Sequence, residues 1–154
     1  MPCSLRCLLP LIALSALAAC GPPMHPINPP NASIQQLDLL PDGRWKLQIR
    51  LENFSDKTVH YAAFKASLRV GGEAVADITL DPELDIPGEN ADIVETTLTP
   101  GADARKAFLA DAKQPGGASY ELKGTIDIPA AGKNFKFEHK SRLSPVPGIT
   151  DQYR

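Results

Sequence analysis

From Trp45 to Glu52 every second residue is apolar: Trp45, Leu47, Ile49 and Leu51 alternate with Lys46, Gln48, Arg50 and Glu52. A period of two puts successive side chains on opposite sides of the backbone, so this segment gains one dry and one wet face only as a β-strand. A helix would scatter the same apolar groups around its circumference. Any fold for the chain must give that strand a sheet neighbour and cover its dry face with a second layer.

Turn chemistry indicates the neighbours. Pro41-Asp42-Gly43 precedes the strand. Proline presets the backbone there and glycine closes the turn, so residues 34–40 are expected to pair back as a hairpin. Phe64, Ala66, Leu68 and Val70 repeat the alternation against Lys65, Ser67 and Arg69 and run into Gly71-Gly72, from which residues 74–80 return. An acidic loop over residues 81–89 follows, then a weaker strand over residues 91–98 that Pro100-Gly101 breaks. Asp103 is placed to cap a short helix ending near Lys113, with Phe108, Leu109 and Ala112 as its apolar stripe, and Pro115-Gly116-Gly117 stops it. Tyr120, Leu122, Ile126 and Ile128 share one face of a further strand, and Phe135, Phe137 and Leu143 mark a last one. About seven antiparallel strands with one connecting helix predict an all-β fold, a two-sheet sandwich of the immunoglobulin or fibronectin-III kind over residues 33–143. At 154 residues and 43% hydrophobic, the chain has room for one such core. Residues 144–154, with two prolines and little apolar matter, are expected to form a flexible tail.

The other end of the chain has a different character. Arg6 and the amino terminus make a short positive region, and an apolar run over residues 7–19 follows it, closing on the small residues Ala18 and Ala19. That is the pattern of a cleaved export signal over residues 1–19. The run is shorter than the roughly 20 residues a membrane-spanning helix needs. Leu17-Ala18-Ala19-Cys20 resembles the lipobox of bacterial lipoproteins, in which the cysteine at the cleavage point receives a diacylglyceryl group. Removing the signal also removes Cys3 and Cys7, so Cys20 would be the sole cysteine, with no partner for an internal disulfide. Several acyl chains would hold the protein durably at a membrane, where one would hold it only marginally. Gly21 stands where inner-membrane retention would favour aspartate, so the resemblance implies the outer membrane, facing the periplasm. Between Cys20 and residue 32 lie Pro22, Pro23, Pro26, Pro29 and Pro30. Such a segment favours extended polyproline backbone and serves as a semi-rigid tether.

The order of residues in the strand region has a further likeness. Leu47 to Asn53, Tyr61 to Gly72, and Ile86-Pro87-Gly88-Glu89 together resemble the water-stress and hypersensitive-response domain of late embryogenesis abundant group 2 proteins, from about Ser33 to Leu143. In that family the first strand closes on an Asn-Pro-Asn type turn. Asn53 matches the first position, while Phe54 and Ser55 replace the other two. The resemblance implies a β-sandwich without a catalytic site, linked to desiccation and stress tolerance.

Motifs for chemistry are few. No Gly-x-Ser-x-Gly elbow, phosphate loop, dinucleotide fingerprint or His-Glu-x-x-His helix occurs in the sequence. His60 and His139 are candidates to meet in space, but no third ligand is indicated beside them. Asp77, Asp81, Glu83, Asp85 and Glu89 offer hard oxygen ligands without the calcium-loop spacing, and a solvated negative rim is the simpler reading. Met24 and His25 are two isolated soft ligands on the tether. Asn31-Ala32-Ser33 and Asn53-Phe54-Ser55 would accept glycans only on a eukaryotic route. With 16 basic against 18 acidic residues there is no footprint for nucleic acid. The expectation is a non-enzymatic, cofactor-free envelope module bound to the membrane through Cys20, protecting or binding client proteins. The alternative is a structural accessory of an envelope complex, joined through a sheet edge.

Overall fold

A computed structural model describes residues 26–154. The export signal, Leu17, Ala18, Ala19, Cys20, Met24 and His25 lie outside the described residues. The described chain is mostly strand. In order it forms β1 (Asn31–Leu39), β2 (Trp45–Asn53), β3 (Val59–Tyr61), β4 (Ala63–Val70), β5 (Glu73–Leu80), β6 (Leu84–Ile86) and β7 (Asn90–Leu98). Helix α1 (Ala102–Asp111) follows, then β8 (Ala118–Ile128), a turn of 3-10 helix at Pro129–Ala131, β9 (Lys133–Leu143) and β10 (Gln152–Tyr153). All pairings are antiparallel. Two four-stranded sheets, in the orders β10-β1-β2-β7 and β5-β4-β8-β9, accompany a two-stranded pair, β3-β6, and none closes on itself.

The alternation seen in the sequence sets the core. Trp45, Leu47, Ile49 and Leu51 are buried along β2, as are Phe64, Ala66, Leu68 and Val70 along β4, and both sets belong to one continuous apolar cluster with β8 and β9. The Pro41-Asp42-Gly43 turn closes β1 on β2, with Leu40 N–H donating to the Arg44 carbonyl at 2.8 Å and Gly43 at a positive φ of 84°. Only glycine adopts that conformation without strain. Gly124, opposite Ala66 on β4, is needed for space instead: a Cβ there would strike the Lys65 carbonyl.

A register shift between Ile34 and Gln36 interrupts the β1–β2 pairing. The phenol of Tyr120, from the other four-stranded sheet, accepts the Ile34 backbone N–H at 3.1 Å. A bulge that disturbs one ladder is thereby used to tie two sheets together.

Five expectations are corrected. Residues 144–154 are no loose tail: Ser144 and Arg154 exchange backbone hydrogen bonds at 2.6 and 2.9 Å, and β10 pairs with Leu37 and Asp38 of β1. One aromatic residue, Tyr153, supplies the burial, edge-on to Phe108 at 4.7 Å. The acidic loop of residues 81–89 contains β6, whose Leu84 and Ile86 pair with Tyr61 and Val59. Asp103 does not cap α1; Gly101 holds the extended N-cap position and Asp103 lies within the first turn, where its charge favours the helix dipole. Leu109 is not part of the buried stripe. Ala104 and Phe108, one turn apart, share the covered face, while Leu109, 100° further round, is 45% exposed. Within the stretch of residues 20–32 expected to be a tether, Pro30 is already buried and β1 starts at Asn31.

Candidate functional site

β2 carries the local structure that organises one end of the molecule. Its last residue, Asn53, is 2% exposed. The Asn53 Nδ2 amide donates to the carbonyls of Lys57 at 2.8 Å, Ile86 at 2.9 Å and Pro87 at 3.1 Å. Its Oδ1 accepts the Ser55 backbone N–H at 2.9 Å. One side chain thus joins the turn after β2 to the loop after β6. The loops come close enough that Gly88 has no room for a Cβ, which would lie 2.6 Å from the Asp56 carbonyl carbon. Ser55 is fully buried, its carbonyl accepting Glu89 N–H at 2.9 Å and its Oγ accepting Asn28 N–H at 3.0 Å. Asn28 Nδ2 also donates to the Phe54 carbonyl at 2.7 Å. Asn28, just before β1, therefore joins the fold at this knot. The burial of the Asn53 amide also excludes it as a glycan acceptor in the folded chain.

His60 and His139 are not brought together. His60, on β3, has Nδ1 2.8 Å from Asp85 and Nε2 3.1 Å from Glu83. The Asp85 hydrogen bond, followed by that of Glu83, raises the imidazole pKa above its ordinary value. His139, on β9, instead stacks on Tyr120 with centroids 6.0 Å apart and lies 3.4 Å from the Asn31 amide nitrogen. The acidic residues divide likewise. Asp77 sits on β5 opposite Ser67, whereas Glu83 and Asp85 are turned to His60. Among the described residues no group of three or more His, Cys, Asp and Glu side chains is arranged to hold a metal ion.

The opposite end is built from rings. Trp45, which opens β2, packs on Phe108 at 5.1 Å, and Phe108 in turn meets Tyr153. Asp111 fixes the end of α1 to β8, accepting the Ser119 N–H at 2.8 Å and the Ser119 hydroxyl at 2.7 Å. Those bonds, the backbone one first, hold its carboxyl below the usual range. Beside the rings lies an apolar cleft of about 170 Å³, lined by Leu39, Leu40, Trp45, Phe108 and Leu109, with Arg44 and Arg105 at its rim. Sequence reasoning missed it because its walls come from a turn and a helix about 60 residues apart, a separation no local pattern reports.

No protein-family model matches the chain, and no curated protein does. Among solved structures it is similar to the solution structure of AT1g01470 from Arabidopsis thaliana, with 15% identity and a TM-score of 0.55 over 87% of this chain and 95% of that one. A crystal structure of a protein from Archaeoglobus fulgidus shares 11% identity with a TM-score of 0.40, over 74% of this chain and 98% of that one. The solution structure of At2g46140.1, provisionally described as a late embryogenesis abundant protein, shares 14% identity with a TM-score of 0.45 over 73% and 67%. The likeness to AT1g01470 supports the fold. At that identity it says nothing of activity.

Proposed function

We infer that the chain is an envelope-anchored, non-enzymatic lipoprotein whose two principal sheets form a sandwich of the late embryogenesis abundant group 2 kind, and that it protects or binds other proteins under stress. The carrying observation is the clamp at Asn28, which fixes the chain to Ser55 and Phe54 eight residues beyond Cys20. Extended polyproline backbone spans about 25 Å over that length, enough to hold a folded body just clear of a membrane surface. Two sequence features support the anchor: the lipobox-like run Leu17-Ala18-Ala19-Cys20 and the prolines after it. The family reading rests on Asn53, which stands where the resemblance puts the turn asparagine and is fully engaged in joining loops.

The edge-joined accessory reading is less favoured. On β7, Asp92 pairs opposite core-facing Leu51 and accepts the Ile93 backbone N–H at 2.7 Å. Asp92 is exposed, and a charge on an edge strand blunts that edge against added strands.

Mass spectrometry of the mature amino terminus tests the anchor. A diacylated or triacylated Cys20 is expected, and an unmodified thiol or a retained leader would overturn it. Drying a labile enzyme with and without the purified protein tests protection, and equal losses in both samples would remove that role.

A further inference from the structure

We propose that the cleft between the β1–β2 turn and α1 is a docking site for one large apolar side chain flanked by carboxylates, presented by a partner protein. Size decides the class of occupant. Small-molecule sites usually enclose roughly 300–1,000 Å³. The cleft, at about 170 Å³, suits a single anchoring side chain, the unit on which protein interfaces concentrate their affinity.

Its walls are Leu39, Leu40, Trp45, Phe108 and Leu109, and Leu109 is 45% exposed on the rim. Trp45 and Phe108 belong to the core and Leu39 packs against it, whereas the exposed part of Leu109 is surface that a partner could cover. Charge indicates the flanks of the partner. Arg44 is neutralised by Asp42 at 2.7 Å. Arg105 is not: its Nη2 donates to the Pro100 carbonyl at 3.3 Å, and no carboxylate among the described residues pairs with it. The guanidinium lies over Gly43, where a Cβ would come within 2.9 Å of Nη1, so the turn glycine leaves the space it occupies. A guanidinium beside a dry cleft is matched by a carboxylate next to an apolar anchor.

The position of the cleft gives it a direction. Asn28 and Asn31 lie at one end of β1, and Leu39 at the other. Nine strand residues span roughly 30 Å. On the anchor reading, which only this orientation requires, the docking end faces away from the membrane that holds Cys20. The partner is then reached across the surrounding space.

Trp45 is the only tryptophan of the chain, so its fluorescence and indole N–H resonance report the cleft directly. The full chain would be titrated with five acetylated, amidated pentapeptides carrying Leu, Ile, Met, Phe or Trp between pairs of Glu, with fluorescence read for the first four and the indole resonance for all five. Lys-flanked peptides and octanoate serve as comparison ligands. Saturable binding below about 1 mM is expected for at least one acidic peptide, with resonance shifts confined to residues 39–45 and 105–109. Arg105→Gln should weaken it about tenfold, the loss of one charge-assisted hydrogen bond. Leu109→Ala should weaken it too, and both variants alter exposed residues and should unfold at nearly the temperature of the parent. No saturation with any acidic peptide, equal binding of the Lys-flanked set, or an equal response to octanoate would each overturn the proposal. Lipidated protein on phosphatidylglycerol vesicles should bind the same peptide as tightly as in solution. Loss of binding there would overturn the orientation and leave the cleft standing.

Discussion

β2 begins in one kind of closure and ends in another. Trp45 is held by the rings of Phe108 and α1, whereas Asn53 is held by four hydrogen bonds to three loop carbonyls and one amide. Rings gain stability from area removed from water and tolerate small shifts in geometry. A buried amide gains little net energy per hydrogen bond, but leaves costly orphans when it is removed. The aromatic end is therefore the larger reservoir of stability, and the amide end the stricter determinant of conformation.

Substitutions at four positions probe that contrast. Phe108→Ala should cost about 3–5 kcal/mol, because it opens a cavity between Trp45 and Tyr153 and releases β10. Urea unfolding should show it as a lowered midpoint, and a loss under 1 kcal/mol would mean the ring stack is not the closure described. Asn53→Ala should cost on the order of 3 kcal/mol. Asn53→Asp should be worse near neutrality, since a carboxylate cannot donate to the carbonyls of Lys57, Ile86 and Pro87. Those oxygens would raise the folded-state pKa of the new acid, so the stability of the variant should fall as pH rises from about 4 toward 7. A pH-independent difference between the two variants would contradict the donor role. Tyr120→Phe, which orphans the Ile34 N–H at the bulge, should cost about 1 kcal/mol and speed hydrogen exchange at that amide. The smallest effect belongs to His60. Its pKa is raised in the fold by Asp85 and then Glu83, so its contribution is complete below the unfolded value near 6.5 and is lost as pH climbs through the folded value. Comparing His60→Gln with the parent across that range by thermal unfolding should show convergence at the alkaline side, and divergence there would exclude the ion pairs as its source.

The long strands were legible because alternation persists over eight or more residues in β2, β4 and β8, and because Pro41-Asp42-Gly43 and Gly71-Gly72 carry their own turn geometry. β3 and β6 hold three residues each, too few to show a period, and Val59 finds Ile86 only through folding of everything between them. β10 is shorter still. The significance of Asn53 could be seen from the likeness to a family turn, but its partners at Ile86 and Pro87 lie more than thirty residues away. His60 and His139 looked equivalent in the sequence because both lie on strands. Pairing to different neighbours separates them, and strand pairing is what local pattern reports least.

The outer neighbour of the first strand is the last one, β10 against Leu37 and Asp38. A chain emerging amino end first must keep that margin of β1 open until residues 40–151 have been made. Such a long loop closes slowly, and an open margin invites pairing with the wrong chain. The interval before Tyr153 arrives is when the chain most needs an escort.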